Sequence, residues 1–250
     1  RPARSPFPTK APTENMSLPM PFNYWSIPKS AKPSFTVSVE PITLRLEKGE
    51  IPDDITALLA EGSQRCDGFF EAGLGRRYPR YLPSNPAIIH AAIVSLKKSG
   101  DLRGDVFCEW GCGFGIAACM ASLLGFESYG IEIEPEIAEF ADQLAKDHNL
   151  PVEILNTSYL PEGYEECEGI GGKDLLPPEA TSSGGVPIDT TPIYDGLDPG
   201  EVDLFFVYPW PGQEGLMMDL FKAVATEDAV LLIAHGEREI TAYRRGVDDY

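Results

Sequence analysis

The segment EWGCGFG at 109–115 constrains this chain more than any other, because it sets three glycines at alternate positions between an apolar run and an Ala-rich one. DVFCEW (105–110) has the length and composition of a buried strand, and 116–124 has those of a helix. Gly111, Gly113 and Gly115 let the backbone between the two turn tightly and approach a ligand without interference from Cβ atoms. The same rhythm continues downstream. SYGIEI (128–133), VEIL (152–155), DLFFVY (203–208) and AVLLIAH (229–235) are expected strands, with helices from Pro135 to near His148 and over 216–225. EITAYR (239–244) can add one more strand.

Upstream of residue 105 the pattern differs. Eight prolines within 1–34 forbid a long helix, so this part is expected to be an extended arm that Phe22, Tyr24 and Trp25 could anchor. SFTVSVEPITLRL (34–46) alternates apolar and polar residues and suggests a short strand or hairpin. A helix is expected over 52–66, then a loop over 73–86. A second helix follows, capped by Asn85 with Pro86 in its first turn. Residues 157–200 are rich in Gly, Pro, Ser and acids, too long for a compact crossover, and are expected to be an insertion. The expected organisation is an arm with short strands over 1–50 and a domain over 51–250 that includes the insertion. Alternating strands and helices form a parallel sheet covered on both faces. The fold class is therefore α/β, a Rossmann-like three-layer sandwich with a mostly parallel sheet and an N-terminal Pro-rich arm.

Charge narrows the partners. The formal net charge is −19, and 151–203 holds twelve acids against Lys173 alone. Such a field disfavours nucleic acid, which would need a local basic patch; Arg76, Arg77 and Arg80, interleaved with Tyr78 and Tyr81, form the densest basic run. That run could instead grip an anionic ligand group or pair with the acidic insertion. No apolar run reaches the roughly 18 residues of a membrane span. No secretory signal is visible, so a cytoplasmic location without membrane contact is expected. The five cysteines are odd in number and show no CxxC. Cys108, Cys112 and Cys119 are read as small core residues and not as a metal cluster, so no metal is expected. The oligomeric state is left open.

The glycine spacing bears on the ligand. A dinucleotide fingerprint is GxGxxG, but here the third glycine follows the second after one residue and Ile116 stands where the fingerprint has glycine. Glu109 ends the strand at the carboxyl edge of the sheet, where open α/β folds bind ligands. A carboxylate there repels a pyrophosphate and suits a sulfonium. Glu132, 19 residues beyond Gly113 at the end of the next strand, can accept hydrogen bonds from two ribose hydroxyls.

These residues resemble the class I S-adenosylmethionine-dependent methyltransferases over 105–235. EWGCGFG is similar to their first motif, and YGIEIEPE (129–136) to the segment that ends in the ribose-binding acid. The resemblance implies that S-adenosylmethionine binds at Glu109, Gly111, Gly113, Gly115, Glu132, Ile133 and Ser158 and leaves as S-adenosylhomocysteine. Where relatives carry an acid after the third strand, NTSYLP (156–161) offers Ser158 and Asn156, so adenine would be met by Ser158 or by backbone groups. YPWP (208–211) stands where amino-methylating relatives carry Asn/Asp-Pro-Pro-aromatic, and it is also similar to a segment of tRNA guanine-N7 methyltransferases. Tyr208 and Trp210 are candidate aromatic walls beside a sulfonium. His235 is the candidate base, ahead of Glu237 and Asp203. The expected activity is methyl transfer to an unidentified acceptor, a small molecule or a protein. An inactive domain that binds S-adenosylmethionine, an RNA methyltransferase and a nucleotide-dependent oxidoreductase are the alternatives. The antiparallel hairpin that usually completes the family's sheet is expected to be cut short at Tyr250.

Overall fold

The computed structural model describes residues 36–47, 49–176, 193–236 and 238–248. The expected arm over 1–34, the middle of the insertion and Glu237 lie outside the described residues.

Seven strands form one sheet. In chain order they are β1 (Thr36–Ile42), β2 (Val106–Trp110), β3 (Glu127–Ile131), β4 (Val152–Leu155), β7 (Leu204–Val207), β8 (Val230–His235) and β9 (Glu239–Asp248). Across the sheet they run β1-β9-β8-β7-β2-β3-β4. The run from β8 to β4 is parallel throughout. β9 is antiparallel to β8 and to β1, which leaves β1 parallel to the rest. The strand order reverses at β2, between β3 and β7. A crevice therefore opens beyond the carboxyl ends of these strands.

Side chains of the central strands alternate between two cores. Leu204 and Phe206 of β7 face one, with Val230, Leu232 and Ala234 of β8. Phe205 and Val207 face the other, with Leu231 and Ile233. The first core is covered by α1 (Asp53–Glu71), α2 (Pro86–Ser99), α3 (Ile116–Leu123) and the end of α4 (Pro135–Asp147), through Ile55, Ile93, Ala118 and Leu144. The second is covered by Leu216, Leu220 and Phe221 of α5 (Glu214–Val224), and by Tyr194 and Leu197 from the insertion. The three layers and the mostly parallel sheet follow from this arrangement. Asn85 caps α2 by accepting the Ala87 amide at 3.1 Å, with Pro86 in the first turn.

Three elements differ from the sequence expectation. α1 runs on to Glu71 because Cys66 and Phe69 extend its buried face. The single strand β1, placed by sequence in the arm, is the edge of the domain's own sheet. The sheet is thus not cut short at its end: the N-terminal strand closes it against a ten-residue β9. Pro41 is tolerated in β1 because an edge strand has one row of amides without a partner strand. The insertion, in turn, contains regular structure. β5 (Glu165–Gly169) and β6 (Gly172–Leu176) form a hairpin with Ile170 and Gly171 at its tip.

Asp203, weighed above as a base, lies at the amino end of β7, opposite the crevice. Its carboxylate takes Arg103 Nε at 2.7 Å and the Val106 amide at 3.0 Å. The same guanidinium donates to the carbonyls of Glu227, Gly200 and Val202. This network ties the amino ends of β2 and β7 together. Asp203→Ala leaves the guanidinium without its counter-charge and is expected to lower stability by about 2–4 kcal/mol, read as a lower urea midpoint. A loss under about 0.5 kcal/mol would reduce the network to an ordinary surface ion pair.

Candidate active site

At the carboxyl edge the chain leaves β2 through three glycines with φ of 69°, 55° and 68° at Gly111, Gly113 and Gly115. Side chains rarely adopt that region, so the turn requires glycine. A Cβ on Gly113 would also lie 2.6 Å from the Tyr81 ring. The turn is fastened to the neighbouring strand where the Cys112 amide donates to the Ile131 carbonyl at 2.8 Å.

Two buried carboxylates organise this corner. Glu109 accepts the Ala118 amide, in the first turn of α3, at 3.0 Å. Glu132 accepts the Gly113 amide at 2.9 Å through one oxygen and the Glu134 amide at 2.9 Å through the other. Burial pushes Glu109 up to about 8, and the charge of Glu132 adds to the rise. Burial also raises Glu132, against the pull of its backbone donors. Asn156 donates to the carbonyls of Glu132 and Ile133 and so fixes the chain after β3.

A cavity of about 840 Å³ opens over this corner. It is walled by the ends of β2, β3, β7 and β8, by the loop between α1 and α2, and by Glu166 of the hairpin. The structure brings Glu109, Gly111, Gly113, Glu132, Ile133, Ser158, Tyr208, Trp210 and His235 to it. Gly115 is not on its wall. It sits behind the turn, where a Cβ would press within 3.0 Å of the Ala141 Cβ on α4, so its role is close packing of α3 on α4. The Ser158 hydroxyl accepts the Leu160 amide at 3.1 Å and so shapes the loop after β4. Ile133 is 64% exposed in the cavity wall, an apolar face available to a flat ligand. Trp210 is 39% exposed, so the loop after β7 does not bury it in the core. His235 Nε2 lies 2.8 Å from the Thr241 hydroxyl on β9. His90 is buried in α2, which lowers its basicity, and His148 pairs with Glu61 at 2.9 Å.

The basic run divides. Arg77 is bound to Glu136 at 2.6 Å, and Tyr78 donates to the same carboxylate at 2.5 Å. Arg80 is on the cavity wall with no ion pair among the described residues, and Arg76 lies in a short 3-10 turn off the cavity. Sequence reasoning noted Tyr81 only within the basic run and passed over two further wall residues, Glu166 and Gln213. Tyr81 stacks on Phe114 with centroids 4.7 Å apart, and its hydroxyl lies 2.9 Å from Cys66 Sγ. Glu166 is carried in by the hairpin, with Lys173 Nζ at 3.2 Å. Gln213, the residue before α5, is 8% exposed, makes no capping bond and has no side-chain hydrogen-bond partner among the described residues. Alternation in GRRYPRY was the one available signal for Tyr81; nothing in the local sequence marks the other two.

Cys66, Cys108, Cys112 and Cys119 are free and buried, as expected of core-filling residues, and Cys167 is exposed on the hairpin. No helix among the described residues is long and apolar enough to cross a membrane.

No family model matches the sequence, and no curated protein matches it. Among solved structures, the chain is similar to an RNA methyltransferase from Salinibacter ruber in complex with S-adenosylhomocysteine, at 15% identity over 66% of this chain and 93% of that one, with a TM-score of 0.42. It is also similar to magnesium protoporphyrin IX methyltransferase from Synechocystis with bound S-adenosylmethionine, at 14% identity over 81% and 100%, TM-score 0.40. A third is an S-adenosylmethionine-dependent methyltransferase from Clostridium acetobutylicum, at 12% over 67% and 56%, TM-score 0.38.

The raised Glu109 has a measurable consequence. The folded protein holds a proton that the unfolded chain releases between its ordinary value near 4.5 and about 8. Stability therefore falls as pH rises through that window. Glu109→Gln keeps an acceptor for the Ala118 amide and removes the charge. Thermal melts from pH 5.5 to 8 are expected to show the variant losing about 2–3 kcal/mol less than the parent. Parallel pH profiles would mean that the carboxylate is ionised throughout. With its strand order, glycine turn and crevice at the reversal of that order, the chain has a Rossmann-like α/β fold whose sheet is completed by its own N-terminal strand.

Proposed function

We propose that this protein is a class I S-adenosylmethionine-dependent methyltransferase acting on a small-molecule acceptor. The observation that carries the reading is the pair of buried carboxylates, Glu109 and Glu132, fastened to the backbone of the glycine turn in the cavity floor. A helix N-terminus that binds pyrophosphate offers free amides to the anion. Here the Ala118 amide is already taken by Glu109, so it is not free for a phosphate. A sulfonium or ammonium bound beside Glu109 would favour its ionised form and pair with it.

The residues present fit the cofactor. Glu132 accepts backbone amides through both oxygens and, on the cavity wall, would offer a remaining lone pair to a ribose hydroxyl. Ile133 offers an apolar face to the adenine, and Gly111 and Gly113 allow close approach to the methionyl part. Bound there, S-adenosylmethionine supplies an electrophilic methyl group on its sulfonium. The protein's own part is to orient the acceptor and exclude water, work that supplies much of the acceleration in such displacements. Tyr208, Trp210 and His235 line the cavity, which supports reading the first two as aromatic walls beside the sulfonium and His235 as the base for an acceptor that must lose a proton. A cavity of about 840 Å³ is in the range of small-molecule sites and favours an acceptor of metabolite size.

Calorimetry with S-adenosylmethionine, S-adenosylhomocysteine and NAD tests the reading. The first two are expected to bind with micromolar affinity and NAD not at all. Gly113→Val forces a side chain into left-handed backbone and against Tyr81, and should abolish binding. Glu132→Ala should weaken it by about tenfold or more. Binding of NAD alone, or unchanged binding in both variants, overturns the assignment.

A further inference from the structure

Gln213 is an anomaly in this cavity. It holds the N-cap position of α5, where a side chain ordinarily accepts an amide from the first turn, yet it makes no such bond. It is instead buried on the cavity wall without a side-chain hydrogen-bond partner among the described residues. Its amide is not sealed from solvent, so its free donor and acceptor open into the cavity, where a ligand can meet them.

The hairpin brings a second polar group to the same cavity. Lys173 of β6 donates its backbone amide to the Gly212 carbonyl at 3.2 Å, and a Cβ on Gly172 would lie 1.8 Å from that carbonyl oxygen. β6 therefore lies directly against the loop that leads into Gln213. Through this docking β5 supplies Glu166, which Lys173 Nζ steadies from outside the cavity wall.

We infer that Gln213 and Glu166 select the acceptor, and that they select a small molecule bearing an amine. The inference rests on the methyltransferase reading of the cavity. A carboxylate only accepts hydrogen bonds, and the Gln213 amide can accept through its carbonyl besides donating through its NH2; an amine carries N–H donors for both acceptors and gains from positive charge. The other charges on the wall agree. Glu132, Glu134 and Glu214 line the same cavity; Arg77 is offset by Glu136 as Glu166 is by Lys173, and Arg80 is a wall cation with no ion pair among the described residues. Tyr159, Tyr208 and Trp210 add aromatic faces, which favour an ammonium.

Matched probes of opposite charge test this. Protein loaded with S-adenosylhomocysteine is titrated with phenethylamine and with 3-phenylpropionate, which share a skeleton. The amine is expected to bind about tenfold more tightly. Gln213→Met, close in volume, and Glu166→Gln should each weaken the amine by about fivefold or more, with affinity for S-adenosylhomocysteine unchanged. Glu168→Gln removes a carboxylate that also contacts Lys173 but lies off the cavity wall, and should alter neither. No binding of the amine, equal or tighter binding of 3-phenylpropionate, or variants that keep the parent's amine affinity would each overturn the inference. Failure of S-adenosylhomocysteine itself to bind overturns the cofactor reading, and the acceptor inference falls with it.

Discussion

The corner of the molecule where β2 ends depends on hydrogen bonds from backbone amides to two carboxylates held out of water. Glu109 takes an amide of α3, and Glu132 takes amides on both sides of the switch point. The bond from the Gly113 amide to Glu132 runs through the left-handed glycine turn, which brings that amide round toward β3. Burial opposes the ionisation of both carboxylates and raises them.

The rest of the fold keeps that corner rigid. The network of Arg103 and Asp203 clamps the amino ends of β2 and β7, the strands whose carboxyl ends lead into the glycine turn and the aromatic loop. β1 and β9 complete the far edge of the sheet. After β1, the Arg45 amide donates to the Ser95 hydroxyl on α2 at 2.9 Å, and Arg244 of β9 reaches the Asp101 carboxylate at 2.5 Å. These contacts hold α2 in place, and with it the loop that lays Tyr81 across Gly113. The N-terminal segment thus does structural work for a site from which it is distant in sequence.

The cavity walls come from loops of unlike origin. The loop between α1 and α2 is fastened to α4 through Arg77, Tyr78 and Glu136, while the hairpin is fastened to the loop after β7 through Lys173 and Gly212. One side thereby meets the glycine turn, and the other meets Gln213. Such a division lets the two ends of the cavity differ in chemistry over one floor.

The sequence by itself determined the alternation of strands and helices, the position of the glycine turn, and the placing of Glu109 and Glu132 at strand ends. Those are local matters, governed by hydrophobic period, glycine's backbone freedom and capping, and all of them can be read within a few residues. The same reasoning put Gly115 in the ligand site and Asp203 among the bases, whereas the structure sets both off the cavity wall. Whether a residue faces a ligand depends on what packs behind it: α4 behind Gly115, Arg103 beside Asp203. Only the tertiary structure decided that β1 closes the sheet, because pairing of β1 with β9 joins segments about two hundred residues apart and leaves no local signal. Only it brought Tyr81, Glu166 and Gln213 to one cavity, since their proximity comes from loops docking on loops and not from any spacing along the chain.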